Sequence, residues 1–331
     1  MLSRLIQITV ALLLSVSVAF ATQGVMFNVA SGDKEVQYNS MVNEKIESIG
    51  WLLSNPHERI NDAFLQRYGN PKDPDYDKDG WSVTLDNLGF FSVTNDKALR
   101  SLLLKAPELG GFSPFNLHIY KLKNENKTYV GHIVPDTMLD IVGVKDVDVR
   151  KEFNAMFPSL DKMVQNEIGG KVETNTFNGL PSKPMMNFEL KFDRNIELTE
   201  LTDFIETFQE NYEAAFEENK YIIAGYKDFK ETYADLELAF DEYDAYFVYS
   251  LCHFTYSYNV FNKGRPDAGA FAPCSMYFYI KKDSNTMVIG MPKLANWISV
   301  LNIKDTLMKK SAHELDKEII SIMKGLGAKE I

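Results

Sequence analysis

The sequence predicts a mixed α/β protein: two diverged copies of one α+β two-layer domain, arranged in tandem behind an export signal. Three observations carry that reading. The chain opens on a short apolar run, and its two halves share an ordered series of matches at a nearly constant offset. Each half also alternates period-two strands with helical stretches.

The first element is the leader. Met1-Leu2-Ser3-Arg4 precedes an apolar run from Leu5 to Val18, and Ala19-Phe20-Ala21 closes it. One positive charge, a short apolar core and an A-x-A site form a secretory signal pattern. The run is shorter than the roughly 20 apolar residues that span a bilayer. The expectation is cleavage after Ala21, a periplasmic or secreted protein, and no membrane span in the mature chain. Removing residues 1–21 leaves 310 of the 331, enough for two domains with real cores. The formal charge is −11, and −12 once Arg4 is lost. That balance argues against nucleic acid and anionic lipid, which both need clustered Lys and Arg. The partners expected are a small ligand or another envelope protein.

The first unit is expected over 22–180 and the second over 181–331, with the boundary in 169–183, where Gly, Asn, Thr, Pro and Ser collect. In the first unit a strand at 89–93 leads into a helix at 96–105, a Pro/Gly turn, and strands at 115–122 and 129–134. The second opens on an amphipathic helix carrying Leu201, Phe204, Ile205, Phe208, Tyr212 and Ala215 at helical spacing. A strand at 246–252, a helix at 255–263 and strands at 275–281 and 286–290 follow. Ser311-x-x-Glu314 has the form of a capping box for the closing helix, with Leu315, Ile319, Ile322 and Met323 on one face and Gly325 at its end.

The repeat lies in the turn-and-strand segments. Residues 107–120 and 266–279 share five of fourteen residues at an offset of 159: both prolines, Gly110/Gly269, Phe112/Phe271 and Tyr120/Tyr279. Downstream, Thr128 and Val130 match Thr286 and Val288, Pro135 matches Pro292, and Leu160-Asp161-Lys162 matches Leu315-Asp316-Lys317. The offset shrinks to 155, as loop deletions would produce. Two copies of an ancestral domain have a ready contact, because a self-complementary surface survives duplication, so an intramolecular pseudo-dimer is expected.

Cys252-His253-Phe254, followed by Gly269, Pro273-Cys274 and Tyr279, resembles the domain-of-unknown-function 302 family. Its members pair a Cys-Asn-Pro-like turn with a later Gly-x-x-Leu-Pro-Cys-x-Val-x-Val-Tyr strand. Here His253-Phe254 stands where Asn-Pro is usual, and the first copy carries Val93 and Phe115 in place of the two cysteines. The resemblance implies a compact two-layer α/β domain that often self-associates. It implies no particular reaction.

Two sets of residues could carry chemistry. Thiolate and imidazole suit zinc, copper or haem iron, so Cys252, His253 and Cys274 are ligand or metal candidates. Their spacing matches no standard metal motif. A disulfide between Cys252 and Cys274 would stabilise by about 3 kcal/mol in the chain-entropy model, and two inert buried thiols are a third possibility. In an acidic insertion at 73–86, Asp75-x-Asp77-x-Asp79-Gly80-x5-Asp86 follows calcium-loop spacing, with Asp where a bidentate Glu is usual. Catalytic signatures such as G-x-S-x-G and H-E-x-x-H are absent from the sequence. His57, His118, His132 and His313 are scattered, and His118 is expected to point outward from its alternating strand. The function expected is that of an extracytoplasmic, non-catalytic binding or accessory protein. The alternative is a redox or metal/haem-handling protein using Cys252, His253 and Cys274.

Overall fold

The computed structural model describes residues 22–78, 84–193 and 198–331. The leader, Asp79 and Gly80 lie outside them. In the first half the elements are β1 (Thr22–Ser31), α1 (Glu35–Ser40), β2 (Leu52–His57), α2 (Ile60–Tyr68), β3 (Leu85–Thr94) and α3 (Asp96–Lys105). There follow β4 (Phe115–Leu122), β5 (Lys127–Ile133), α4 (Pro135–Val142), α5 (Val147–Asn154), α6 (Phe157–Ile168) and β6 (Lys171–Phe177). The second half contains β7 (Met185–Lys191), α7 (Leu198–Glu218), β8 (Tyr221–Asp228), α8 (Phe229–Asp235), β9 (Tyr243–His253) and α9 (Phe254–Ser257). It ends with β10 (Cys274–Lys281), β11 (Thr286–Pro292), α10 (Ala295–Val300), α11 (Thr306–Gly325) and β12 (Lys329–Glu330).

Each half builds one six-stranded sheet in which every neighbouring pair is antiparallel. The orders are β2-β3-β4-β5-β1-β6 and β12-β7-β11-β10-β9-β8. Numbered within its own half, each sheet runs 2-3-4-5-1-6. Helices cover one face of each sheet. Phe153 and Phe157 pack on Phe115, and Trp51 touches Phe115 and Phe157. In the second half Phe208 and Tyr212 of α7 pack on Phe278. No helix among the described residues is long and apolar enough to cross a membrane.

Local chemistry sets the helix starts. The Asn95 side chain accepts from Ala98 N–H and opens α3, whose Leu99, Leu102 and Leu103 are buried. The closing helix begins earlier than the Ser311–Glu314 pattern suggests. Asp305 is its N-cap, accepting from Met308 N–H at 2.8 Å, and Ser311 and Glu314 lie inside α11. A carboxylate there satisfies a free N–H and meets the positive end of the helix. The 169–183 stretch contains β6, which pairs with β1 and so belongs to the first sheet.

The two halves meet through reciprocal contacts. The short 3₁₀ turn Pro107–Phe112 lies on the second sheet, and its counterpart Pro266–Phe271 lies on the first. Gly110 sits against Tyr246 and Tyr277, while Gly269 sits against His118 and Phe90. The Tyr246 hydroxyl donates to Pro107 O, and His118 Nε2 lies 2.8 Å from Pro266 O. At the offset of 159, Gly110 corresponds to Gly269, Pro107 to Pro266 and His118 to Tyr277. Both turns run into a cis X-Pro bond, at Ser113–Pro114 and Ala272–Pro273. His118 therefore does not point outward. Its strand is covered on both faces, by helices on one side and the partner unit on the other, and the imidazole is buried.

Candidate functional site

Cys252 and His253 end β9, and Cys274 begins β10, its antiparallel neighbour. The chain between them is α9, a wider π-type turn (Tyr258–Asn262) and the 3₁₀ turn, which return it to the same end of the sheet. Both cysteines line one cavity of about 20 Å³ with His253, Tyr221, Met291 and Trp297. That is room for about one water molecule.

The register decides how the thiols relate. Cys274 pairs with Leu251, so Cys252 is displaced by one residue. Successive Cβ atoms on a strand point to opposite faces. Both cysteines are free thiols, so the possible Cys252–Cys274 disulfide is not formed. The same register corrects the comparison between the halves. Phe115 pairs with Val93 as Cys274 pairs with Leu251, which puts Thr94, rather than Val93, at the place of Cys252.

Each group has a local occupation. The Cys252 sulfur lies 3.3 Å from Ser257 Oγ, and burial pushes its pKa up. Burial raises Cys274 further, with the Cys252 sulfur adding to the effect. His253 Nδ1 accepts from Tyr256 N–H at 3.3 Å, capping α9 as Asn95 caps α3. That bond leaves Nε2 to carry the proton of the neutral ring. Burial lowers the imidazole pKa, opposed by Glu318. Among the described residues no three His, Cys, Asp or Glu side chains converge on a metal position, so Cys252, His253 and Cys274 do not form a three-ligand centre. Because the thiolate is the reactive form, Ellman's reagent at pH 7 should label both thiols at least about 100-fold more slowly in the folded protein than in urea. Rapid labelling of the folded chain would show an activated thiol instead.

The calcium pattern is dispersed. Asp75 pairs with Arg67 at 2.5 Å. Asp77 accepts from the Tyr258 hydroxyl at 2.9 Å and from Lys263 Nζ at 3.1 Å, both in the second half. Asp86 lies inside β3, outside any loop, and pairs with Lys121. Asp79 falls outside the described residues. Tyr68, at the end of α2, stacks on Tyr258 with ring centroids 4.0 Å apart and donates to Thr255 Oγ1 at 3.0 Å. The acidic segment thus fastens one half to the other. Sequence reasoning missed this use because each partner sits in the other unit, more than 180 residues away.

Residues 196–326 match the family model described as "Domain of unknown function DUF302", so a domain of that family is found there. A solved structure is also similar, described as "Crystal structure of uncharacterized conserved protein DUF302 from Bacillus stearothermophilus". The identity is 17%, covering 43% of this chain and 98% of that chain, with a TM-score of 0.34. No curated protein matches.

Proposed function

We propose that the chain is an exported, non-catalytic binding or accessory protein. On this reading its two halves are diverged copies of one domain, packed as an intramolecular pseudo-dimer. The observation that carries the functional part is the size of the cysteine cavity. At about 20 Å³ it admits a water but no organic substrate, and burial favours the protonated thiols. Binding then falls to the wider grooves at the surface. The duplication is supported by the shared 2-3-4-5-1-6 strand order and by the reciprocal glycine contacts, a pattern expected of a two-fold interface. Export rests on the leader pattern at 1–21.

A second reading, redox or metal/haem handling, is favoured by one observation: two thiols and the Met291 thioether line the same cavity. Soft donors of this kind suit copper or iron. Calcium at Asp75, Asp77, Asp79 and Asp86 would require the metal to displace Arg67, Lys263 and Lys121.

One preparation separates these readings. Protein purified from the envelope fraction of its own host should begin at Thr22, absorb only as a tyrosine- and tryptophan-containing protein, and contain no stoichiometric metal. An intact Met1 on cytoplasmic protein would reject export. Stoichiometric copper, zinc, iron or haem would establish the second reading, and stoichiometric calcium would restore the calcium loop.

A further inference from the structure

Resting on the binding reading above, we propose that a groove on the first sheet binds a small organic cation, an ammonium or guanidinium group on an apolar body. The groove has a cavity of about 240 Å³, at the small end for ligand pockets. Its floor is aromatic. Tyr120 and Tyr129 stack with centroids 4.4 Å apart, and Phe27 meets Tyr120 edge-on at 5.5 Å. Its rim carries Glu173 from β6 and Asp267 from the 3₁₀ turn of the second half. The site is therefore complete only when the two halves are packed.

The charge balance selects the ligand. Among the described residues no Lys or Arg lines the groove. Arg265 stands nearby but is committed: it holds Asp267 through two hydrogen bonds of 2.9 and 2.7 Å and donates to Leu301 O. Glu125 accepts from the Tyr129 hydroxyl at 2.7 Å. Glu173 has no ion pair among the described residues, so three carboxylates face one guanidinium. An aromatic floor under such a rim attracts cations, through the ring quadrupoles as well as the carboxylates.

A second observation points into the groove independently. Tyr120 is only 7% exposed and lines the groove, where its hydroxyl reaches the open space with no hydrogen-bond partner among the described residues. That oxygen is a free acceptor inside the groove, and a ligand N–H donor would fill it. The arrangement also recurs. At the offset of 159, Tyr279 corresponds to Tyr120 and Glu108 to Asp267, and burial raises the Tyr279 pKa with Glu108 adding to the effect. There Lys281 lies within electrostatic reach of Glu108, so the second copy of the arrangement has a cation of its own nearby.

The test uses the full chain and three isosteric probes: benzylammonium, benzyl alcohol and benzoate. Titration is followed by calorimetry and by the NMR signals of Tyr120 and Tyr129 at low salt and pH 7. Benzylammonium should bind, with the tyrosine signals moving, at least about tenfold more tightly than the alcohol. Exposed Glu173→Gln, which leaves the fold unburdened, and Tyr120→Phe should each weaken it by about five- to tenfold. Preferred binding of benzoate or benzyl alcohol would overturn the cation inference while leaving a binding role in place. No tyrosine response to benzylammonium, or an unchanged affinity in Glu173→Gln, would also overturn it. The binding reading itself falls only if protein from the host carries a stoichiometric redox metal or haem.

Discussion

Gly269→Ala should lower unfolding stability by about 2–3 kcal/mol, the usual cost of overpacking against rigid neighbours. A Cβ at that position would lie 2.5 Å from His118 Nε2 and 2.7 Å from Phe90 Cε1, both in the other half. Neither neighbour can yield. His118 is held between two carbonyls, and Phe90 is stacked on it with centroids 5.2 Å apart. Gly110→Ala should behave alike, since its Cβ would come within 2.6 Å of Tyr277 Cβ and against the Tyr246 hydroxyl. Gly325→Ala, with nothing near its Cβ, serves as the control and should stay within about 0.5 kcal/mol of wild type. Urea midpoints read the difference. If Gly269→Ala and Gly110→Ala unfold like the control, the halves are not packed on these turns and the reciprocal interface is wrong.

Much of the fold was legible where the sequence alternates or repeats. The strands β3, β4, β9, β10 and β11 and the helix α3 follow from period-two and helical spacing, because each has one face on a core of its own unit. β1, β2, β7 and β8 were not read. β2 contains Pro56 and is mostly half-buried, so it lacks a clean alternation. β6 was hidden by its composition: Lys171–Phe177 is almost wholly exposed at a sheet edge, and a polar edge strand reads as a linker. The start of α11 was misplaced because Ser311 and Glu314 satisfy a capping pattern that Asp305 had already made unnecessary.

The candidate site was less legible, for a physical reason. Alternation along β4 correctly put His118 on the face opposite Leu117 and Ile119, but alternation cannot say whether that face meets water or another unit. The same gap applies to Asp77, whose partners Tyr258 and Lys263 come from the second half. It applies as well to the groove at Tyr120, which needs Asp267 from that half. For the cysteines, sequence left open whether β9 and β10 are neighbours. Only the pairing of Cys274 with Leu251 settles that both thiols share one end of the sheet, one residue out of step.

His118 should make the protein acid-sensitive. Its Nδ1 lies 2.8 Å from Gly89 O and its Nε2 2.8 Å from Pro266 O. Two carbonyl acceptors favour the charged ring, as does Asp267, but burial outweighs them and brings the pKa down to about 4 from 6.5. The neutral ring donates to one carbonyl only. Since the unfolded chain binds this proton more readily than the folded one, stability rises with pH across the interval. The contribution is whole above pH 6.5 and is lost as the pH falls through that value towards 4. Between pH 7.5 and pH 4 the loss from this group is about 3 kcal/mol. His253, also lowered by burial, acts in the same direction, while the raised carboxyls of Glu108 and Asp316 act against it. His118→Gln isolates the imidazole, because those other groups remain in both proteins. Gln keeps one N–H donor, so the variant should lose about 1–3 kcal/mol at pH 7.5 from imperfect packing and bonding. Its urea midpoint should then fall less steeply towards pH 4, by the equivalent of about 3 kcal/mol. Parallel curves for wild type and His118→Gln would mean that the imidazole titrates alike in the folded and unfolded chains, and the closed interface around Pro266 would have to be abandoned.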